Sequence, residues 1–250
     1  MRKYIVQVCL YTRYFWQAAL DNLGMLLYTV VLPLVFLVLN LKSAFFKPLS
    51  MQQFIGAVMP FIAWIIFSNV LMVIADVAML REQGYLKQYV SLVVNPSVFL
   101  VSKMLVSGGL LVVILGLVGA VSGIVFHLPI FGIVWRLWAV LLLVALPVLG
   151  YCLPILSLPI RYKSLNAVVN TLMIVVMIGS AAIENSTHLA VTTVWLNVLS
   201  PIYLVMNTFN LLTTAQWGAF WPAYVATLVV MGAIGAYSYR HLRLLPTEGL

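Results

Sequence analysis

This sequence predicts an all-α, polytopic membrane protein with six transmembrane helices. Three observations predict it. Hydrophobic residues make up 64% of the 250, against roughly 45–50% in a soluble chain. Charged residues make up only 7%, against about 25%. The few charges also divide the chain into long uncharged stretches. Such a composition excludes a soluble globular domain and a disordered chain. It excludes a nucleic-acid binder as well. The net charge is +8, but the thirteen basic residues are scattered among apolar runs and build no groove for phosphates. The two cysteines, Cys9 and Cys152, set no disulfide framework and read as small apolar fillers.

Residues 1–22 come first and predict an interfacial amphipathic helix. At 100° per residue, Lys3, Gln7, Tyr14, Gln17 and Asp21 share one sector, with Arg2 and Arg13 beside it. Ile5, Val8, Cys9, Phe15, Trp16 and Ala19 lie opposite. A helix of this kind lies on the inner leaflet, as a plain anchor or as a mechanical element. It does not read as a signal peptide, because Arg13 cuts the apolar run and no small-residue cleavage site follows.

The spans follow. Asn22–Leu41, Pro48–Ala75, Met104–Trp135 (His127 aside), Leu137–Ile160 and Ser164–Ile183 are uncharged. Each is long enough to cross a hydrocarbon core of about 30 Å, which takes ~20 helical residues. The last uncharged run, Asn185–Tyr239, has 55 residues, and the charge bias decides how many crossings it holds. Ten basic residues fall on one side: Arg2, Lys3, Arg13, Arg81, Lys87, Lys103, Arg161, Lys163, Arg240 and Arg243. Lys42, Lys47 and Arg136 fall on the other. The Lys/Arg excess marks the cytoplasmic face, so both termini are expected inside and the number of crossings must be even. One crossing therefore remains, best placed at Gly218–Tyr239. Residues 185–217, broken by Ser186, Asn197, Ser200, Pro201 and Asn207, are expected as short outer or re-entrant helices packed on the bundle.

The interior is informative by what it lacks. Asp21, Asp76, Glu82, Glu184 and Glu248 all fall at span ends or in loops. A proton- or cation-coupled carrier usually keeps an ionisable group mid-membrane, so the pattern argues against an ion-driven secondary transporter. No phosphate-binding glycine loop and no His-Glu-x-x-His occurs. His127, His188 and His241 are isolated, and no metal site or catalytic residue is expected. If the chain transports, its energy must come from a partner.

The segment between spans two and three, residues 76–90, reads as a short amphipathic helix at the cytoplasmic surface. Its charged residues would give a soluble partner its docking register. The stretch Arg81-Glu82-Gln83-Gly84-Tyr85-Leu86 is followed by Pro96-Ser97 and Lys103. With the amphipathic N-terminus, Pro33 in the first span and Leu199-Ser200-Pro201-Ile202-Tyr203 before the last, the whole chain resembles the ABC-2 type permeases. These are the membrane subunits of type V ABC transporters. Each motif is weak alone, and their order and spacing carry the likeness.

That resemblance implies a single permease domain, 1–250, that pairs with a second permease, as a homo- or heterodimer. It implies docking to two copies of a separate ABC ATPase. ATP and Mg are bound there, and this chain carries no cofactor. Residues 76–90 would be the coupling helix, with Arg81, Glu82, Gly84, Tyr85 and Lys87 meeting the ATPase. The resemblance also implies export across a bacterial or archaeal cell membrane, along a path lined by spans two and five. Asn166, Asn170, Met173 and Met177 form a stripe at helical spacing in span five, and Trp64, Ser68, Asn69 and Met72 lie in span two. Methionine adapts to varied apolar shapes and asparagine supplies hydrogen bonds where lipid cannot. Interhelical glue and core filling are the competing reading. A path of this kind suits amphipathic cargo such as antimicrobial peptides or drugs. Export of polysaccharide, teichoic acid or lipid-linked glycan is the alternative, and an ion-driven carrier the second.

In span four, Pro147, Pro154 and Pro159 with Gly150 predict a bent helix. The glycines at 108, 109, 116, 119 and 123 suit close packing of span three.

Overall fold

A chain this apolar must satisfy its backbone polar groups internally, and helices do so within one segment. The computed structural model describes residues 2–21, 30–31, 34–39, 46–83, 93, 95, 97–158, 160, 162–187, 194–215 and 217–241, and these form helices and short turns with no strand among them. Among the described residues the architecture is carried by α1 (Arg2–Asp21), α2 (Met51–Ala57), α3 (Met59–Glu82), α4 (Ser97–Val125), α5 (Ile130–Cys152), α6 (Tyr162–Thr187), α7 (Pro201–Thr214) and α8 (Trp217–Arg240), with residues 30–31 and 34–39 also helical. Two 3-10 turns, Leu153–Leu156 and Val194–Val198, precede α6 and α7. Among the described residues, five helices are long and apolar enough to cross a membrane. They are Met59–Glu82, Ser97–Phe126, Ile130–Leu156, Lys163–Ile183 and Phe220–Arg240. The expected first span, Asn22–Leu41, lies largely outside the described residues, as do Pro33 and Pro159.

Charges do not mark the helix ends as expected. The stretch Met104–Trp135 is broken at Phe126–Pro129, where His127 turns with φ 56°. Lys103 sits inside α4, and Arg136 sits inside α5. Both cations find partners within the protein, so neither has to end its helix. Arg136 Nε donates to the Leu212 carbonyl on α7 at 3.3 Å, and Lys103 Nζ lies 3.1 Å from Asp76 Oδ2. The stretch Pro48–Ala75 also differs from one span. Ser50 caps α2 through a capping box with Gln53, and Pro60 opens α3 after the break at Val58. That signature, Ser-x-x-Gln, stands in the sequence itself.

Helix α3 is the axis of the bundle. Of its most apolar 18-residue window, 83% is buried. Helices α4, α5, α6 and α7 all pack on it. The α4–α5 hairpin closes tightly because Gly123 admits Ile130. A Cβ there would lie 2.6 Å from Ile130 Cγ1. Trp138 Nε1 pins the same pair by donating to the Val112 carbonyl at 3.0 Å. Pro147 stays within α5, whereas Pro154 falls in the 3-10 turn that ends it. Helix α8 joins α5 where Tyr224 donates to the Leu143 carbonyl at 2.6 Å.

Helix α7 is the most enclosed short element. Pro201 through Phe209 are all buried, against α3 and α5. Ser200 caps it by accepting from the Ile202 amide at 3.1 Å. Ala215 ends it in the left-handed region, φ 56°, with its N–H on the Leu211 carbonyl. A Cβ in that conformation costs about 1–2 kcal/mol. Ala215→Gly is therefore expected to raise stability by about 1 kcal/mol. A higher thermal midpoint in detergent would show it; an unchanged one would count against the left-handed cap.

Candidate functional site

The predicted coupling residues begin at the basic end of α3. Residues 76–82 are the last two turns of that helix, continuous with it. Gly84, Tyr85 and Lys87 lie outside the described residues. Arg81 is only 1% exposed. Its guanidinium turns inward. Nε donates to Glu82 Oε1 at 2.7 Å, Nη1 to the Leu156 carbonyl at 2.7 Å, and Nη2 to the Leu158 carbonyl at 3.2 Å. Leu156 closes the 3-10 turn after α5, where orphaned carbonyls favour a cation. The planar guanidinium reaches a carboxylate and two carbonyls at once, which a lysine cannot do. Arg81 thus clasps the end of α3 to the end of α5.

A second ion pair lies close by in the fold. Lys103 on α4 meets Asp76 on α3 and stands 5.4 Å from the centroid of the Phe15 ring on α1. Three helices therefore converge on one ammonium. The spacing of Asp76 and Lys103 in the chain gives no hint of this contact. The available signal was that both are charges at the same end of neighbouring spans.

Helix α1 packs on the first half of α4. The Tyr4 hydroxyl bonds Ser97 Oγ at 3.1 Å, and Ser102 Oγ donates to the Val8 carbonyl at 3.1 Å. Phe15 meets Phe99 edge-on at 4.9 Å. From the expected apolar sector only Val8 is buried; Ile5, Cys9 and Trp16 are exposed. The buried seam is rotated from that sector toward Tyr4, Val8, Tyr11 and Phe15.

The predicted path residues divide between two environments. Trp64 and Asn69 are buried in α3, and Met72 is half-buried. Asn69 Oδ1 accepts from Ser107 Oγ on α4, so this asparagine joins α3 to α4. On α6, Met173 is buried while Asn166 and Asn170 are exposed and Met177 is half-buried. The stripe thus straddles the margin of the α6–α3 seam. Only 17% of the apolar window of α6 is buried.

Sequence reasoning missed a buried polar cluster where α6, α7 and the last turn of α5 meet. Ser180 on α6 donates to the Val176 carbonyl at 2.7 Å and bonds Ser200 Oγ at 2.6 Å. Tyr203 on α7 donates to the Ser180 carbonyl at 2.5 Å. Asn207 Nδ2 donates to Asn197 Oδ1 at 2.7 Å, and the Tyr151 hydroxyl donates to the Asn197 carbonyl. All of these side chains but Tyr151 are buried. The cluster fastens α6, α7 and the Val194–Val198 turn together. Buried polar groups need such partners, because water is absent. Its members are spread over 57 positions, so no local motif betrays it.

Among the described residues no three His, Cys, Asp or Glu side chains converge as metal ligands would. No protein-family model, curated protein or solved structure matches this chain.

Proposed function

We propose that this chain is the membrane-spanning permease subunit of an ATP-driven exporter of the ABC-2 type. The observation that carries the reading is the exposed amide face of α6. A helix this apolar has a lipid-facing surface that should be all hydrocarbon, since an amide facing lipid has no partner for its hydrogen bonds. Asn166 and Asn170 are nevertheless exposed. They suit a surface covered by a second permease or lining a shared aqueous path. In this reading Trp64, Asn69, Met72, Asn166, Asn170, Met173 and Met177 flank the route of amphipathic cargo such as antimicrobial peptides or drugs.

The basic end of the bundle supports the second half of the reading. A push delivered to residues 84–90 by a separate ATPase, two copies per permease pair, would reach α3 directly. Through Arg81 it would reach α5, and through Lys103 it would reach α4 and α1. Glu82 then fixes the guanidinium rather than the partner, and Gly84, Tyr85 and Lys87 make the contact. ATP and Mg belong to that ATPase. The first span would bring the crossings to six and leave both termini in the cytoplasm of a bacterial or archaeal cell.

The double substitution Asn166→Leu, Asn170→Leu tests the path. It is expected to lower cargo export at least tenfold while leaving thermal stability within about 0.5 kcal/mol, as for surface changes away from packed features. Purification of the intact chain from its own cell should bring down an ATPase in equal amount. Uphill transport by the chain alone in vesicles would end the proposal, and so would undiminished export by the double variant.

A further inference from the structure

A groove of 540 Å³ runs between α1 and α4, walled by Val8, Cys9, Thr12, Trp16 and Leu105, with the exposed Arg13 and Gln17 also lining it. Most of its accessible wall is apolar, and it is open along one side. The exposed side chain of Ile5, one turn before Cys9, continues the apolar surface along the same flank of α1. Inside the groove one polar atom stands apart. Thr12 Oγ1 is buried and has no hydrogen-bond partner among the described residues. A helical threonine normally donates back to the carbonyl four residues earlier, here that of Val8. That oxygen already serves the helical amide and accepts from Ser102 Oγ at 3.1 Å. The Thr12 hydroxyl is left with a proton to give.

Depth and charge identify the occupant. Lys103 is the last charge on α4, and the uncharged stretch beyond it to Val125 holds 22 residues, about 33 Å of helix. That length matches a hydrocarbon core of about 30 Å, so the boundary between headgroups and acyl chains falls near Lys103. Leu105 lies one half-turn deeper. At this level a phospholipid presents its phosphate, then its ester carbonyls, then its chains. The groove offers a complement to each: the exposed Arg13 for the phosphate, the unpartnered Thr12 hydroxyl for an ester oxygen, and Trp16 with Leu105 for a chain. Arg13 has no carboxylate partner among the described residues, and Arg2 and Lys3 on the same helix are exposed.

We infer that this groove holds one anionic glycerophospholipid of the leaflet at the basic end. An acyl chain lies along Trp16 and Leu105, an ester oxygen accepts from Thr12, and the phosphate pairs with Arg13. The bound lipid fills the flank of α1 that the bundle leaves bare, and so sets how firmly α1 sits on α4. The inference needs the helices to lie in a bilayer; it does not depend on export.

The test uses the full chain in nanodiscs of phosphatidylcholine doped with phosphatidylglycerol carrying dibrominated acyl chains. The signal is quenching of Trp16, taken as the difference between wild type and Trp16→Phe. Quenching is expected to saturate at a low mole fraction of brominated phosphatidylglycerol. Brominated phosphatidylcholine should give only the gradual quenching of bulk lipid. Arg13→Gln should raise the half-saturating fraction about fivefold, the loss expected for one basic residue at a lipid surface. Thr12→Val should raise it by a smaller factor, and Leu105→Phe, which narrows the groove without adding a tryptophan, should raise it as well. Native mass spectrometry gives an independent count, with one phosphatidylglycerol retained by wild type and a smaller bound fraction in Arg13→Gln at the same lipid content. Equal quenching by the two lipids, unchanged in Arg13→Gln, would mean that the groove only faces bulk lipid and would overturn the inference. No Trp16 quenching by either lipid would mean that protein fills the groove, and would overturn it equally.

Discussion

Arg81→Met is expected to cost about 3–5 kcal/mol of stability, the loss seen when one partner of a buried ion pair is removed. The substitution keeps the length of the side chain and deletes its charge and donors. Glu82, whose side chain is also 1% exposed, would lose the cation at 2.7 Å, and the Leu156 and Leu158 carbonyls would lose the donors that tie α5 to α3. Arg81→Lys should recover part of the loss, since an ammonium keeps the charge but cannot span three acceptors. Removing both charges in Arg81→Met, Glu82→Leu should recover more, because no carboxylate then faces a missing cation. Unfolding can be followed with a thiol-reactive dye in a Cys9→Ser background, since Cys9 is exposed and Cys152 is fully buried. A double variant as unstable as Arg81→Met would show that shape, rather than the ion pair, holds this end together.

The same geometry changes how a coupling experiment must be read. Glu82→Ala would damage the clasp within the chain as well as any contact with an ATPase. A loss of ATPase stimulation in that variant would not separate the two. Lys87→Ala and Gly84→Pro fall after the clasp and are the cleaner probes of docking. They are expected to abolish cargo-stimulated ATP hydrolysis with the unfolding midpoint of the chain unchanged.

Helix existence was legible because one signal dominates: an apolar run of twenty or more residues has few alternatives to a helix in lipid. Helix ends were not legible from charge, because Arg136 and Lys103 find Leu212 and Asp76 inside the protein. Better punctuation stood in the sequence. Ser50 and Gln53 form the capping box of α2, Pro60 opens α3, and Leu128-Pro129 precedes α5. The candidate site was half legible. Arg81 and Asn69 were singled out, but the residues that hold them, Leu156 and Leu158 for one and Ser107 for the other, offer no spacing to read. Which face of α6 meets protein was also hidden. Lipid and protein interior are equally apolar, so hydrophobic periodicity fades where it would have told the two faces apart.

Gly150→Ala is expected to destabilise the chain by about 1–3 kcal/mol, the usual cost of overpacking. Helices α5 and α8 cross at this residue. A Cβ on Gly150 would lie 2.5 Å from the Met231 carbonyl oxygen and 2.8 Å from its carbon. Those are backbone atoms of a helix and cannot swing aside, so α8 itself must move. Gly235 on α8 completes the crossing, where an added Cβ would lie 3.3 Å from the Gly150 Cα. Its other close neighbour is the end of the Leu153 side chain, at 2.9 Å, which can rotate away. Gly235→Ala should therefore cost less than Gly150→Ala. Gly232 on the same helix has nothing within 4 Å. There the better helix propensity of alanine should dominate, and Gly232→Ala should gain up to about 1 kcal/mol. The three variants differ by the same methyl group, so their order isolates the contact at the crossing from any general effect of glycine. Loss of helicity during titration with a denaturing detergent gives that order directly. Gly150→Ala as stable as Gly232→Ala would mean that α5 and α8 do not approach this closely. The tie between the basic end of α5, which Arg81 grips, and α8 would then have to be sought elsewhere.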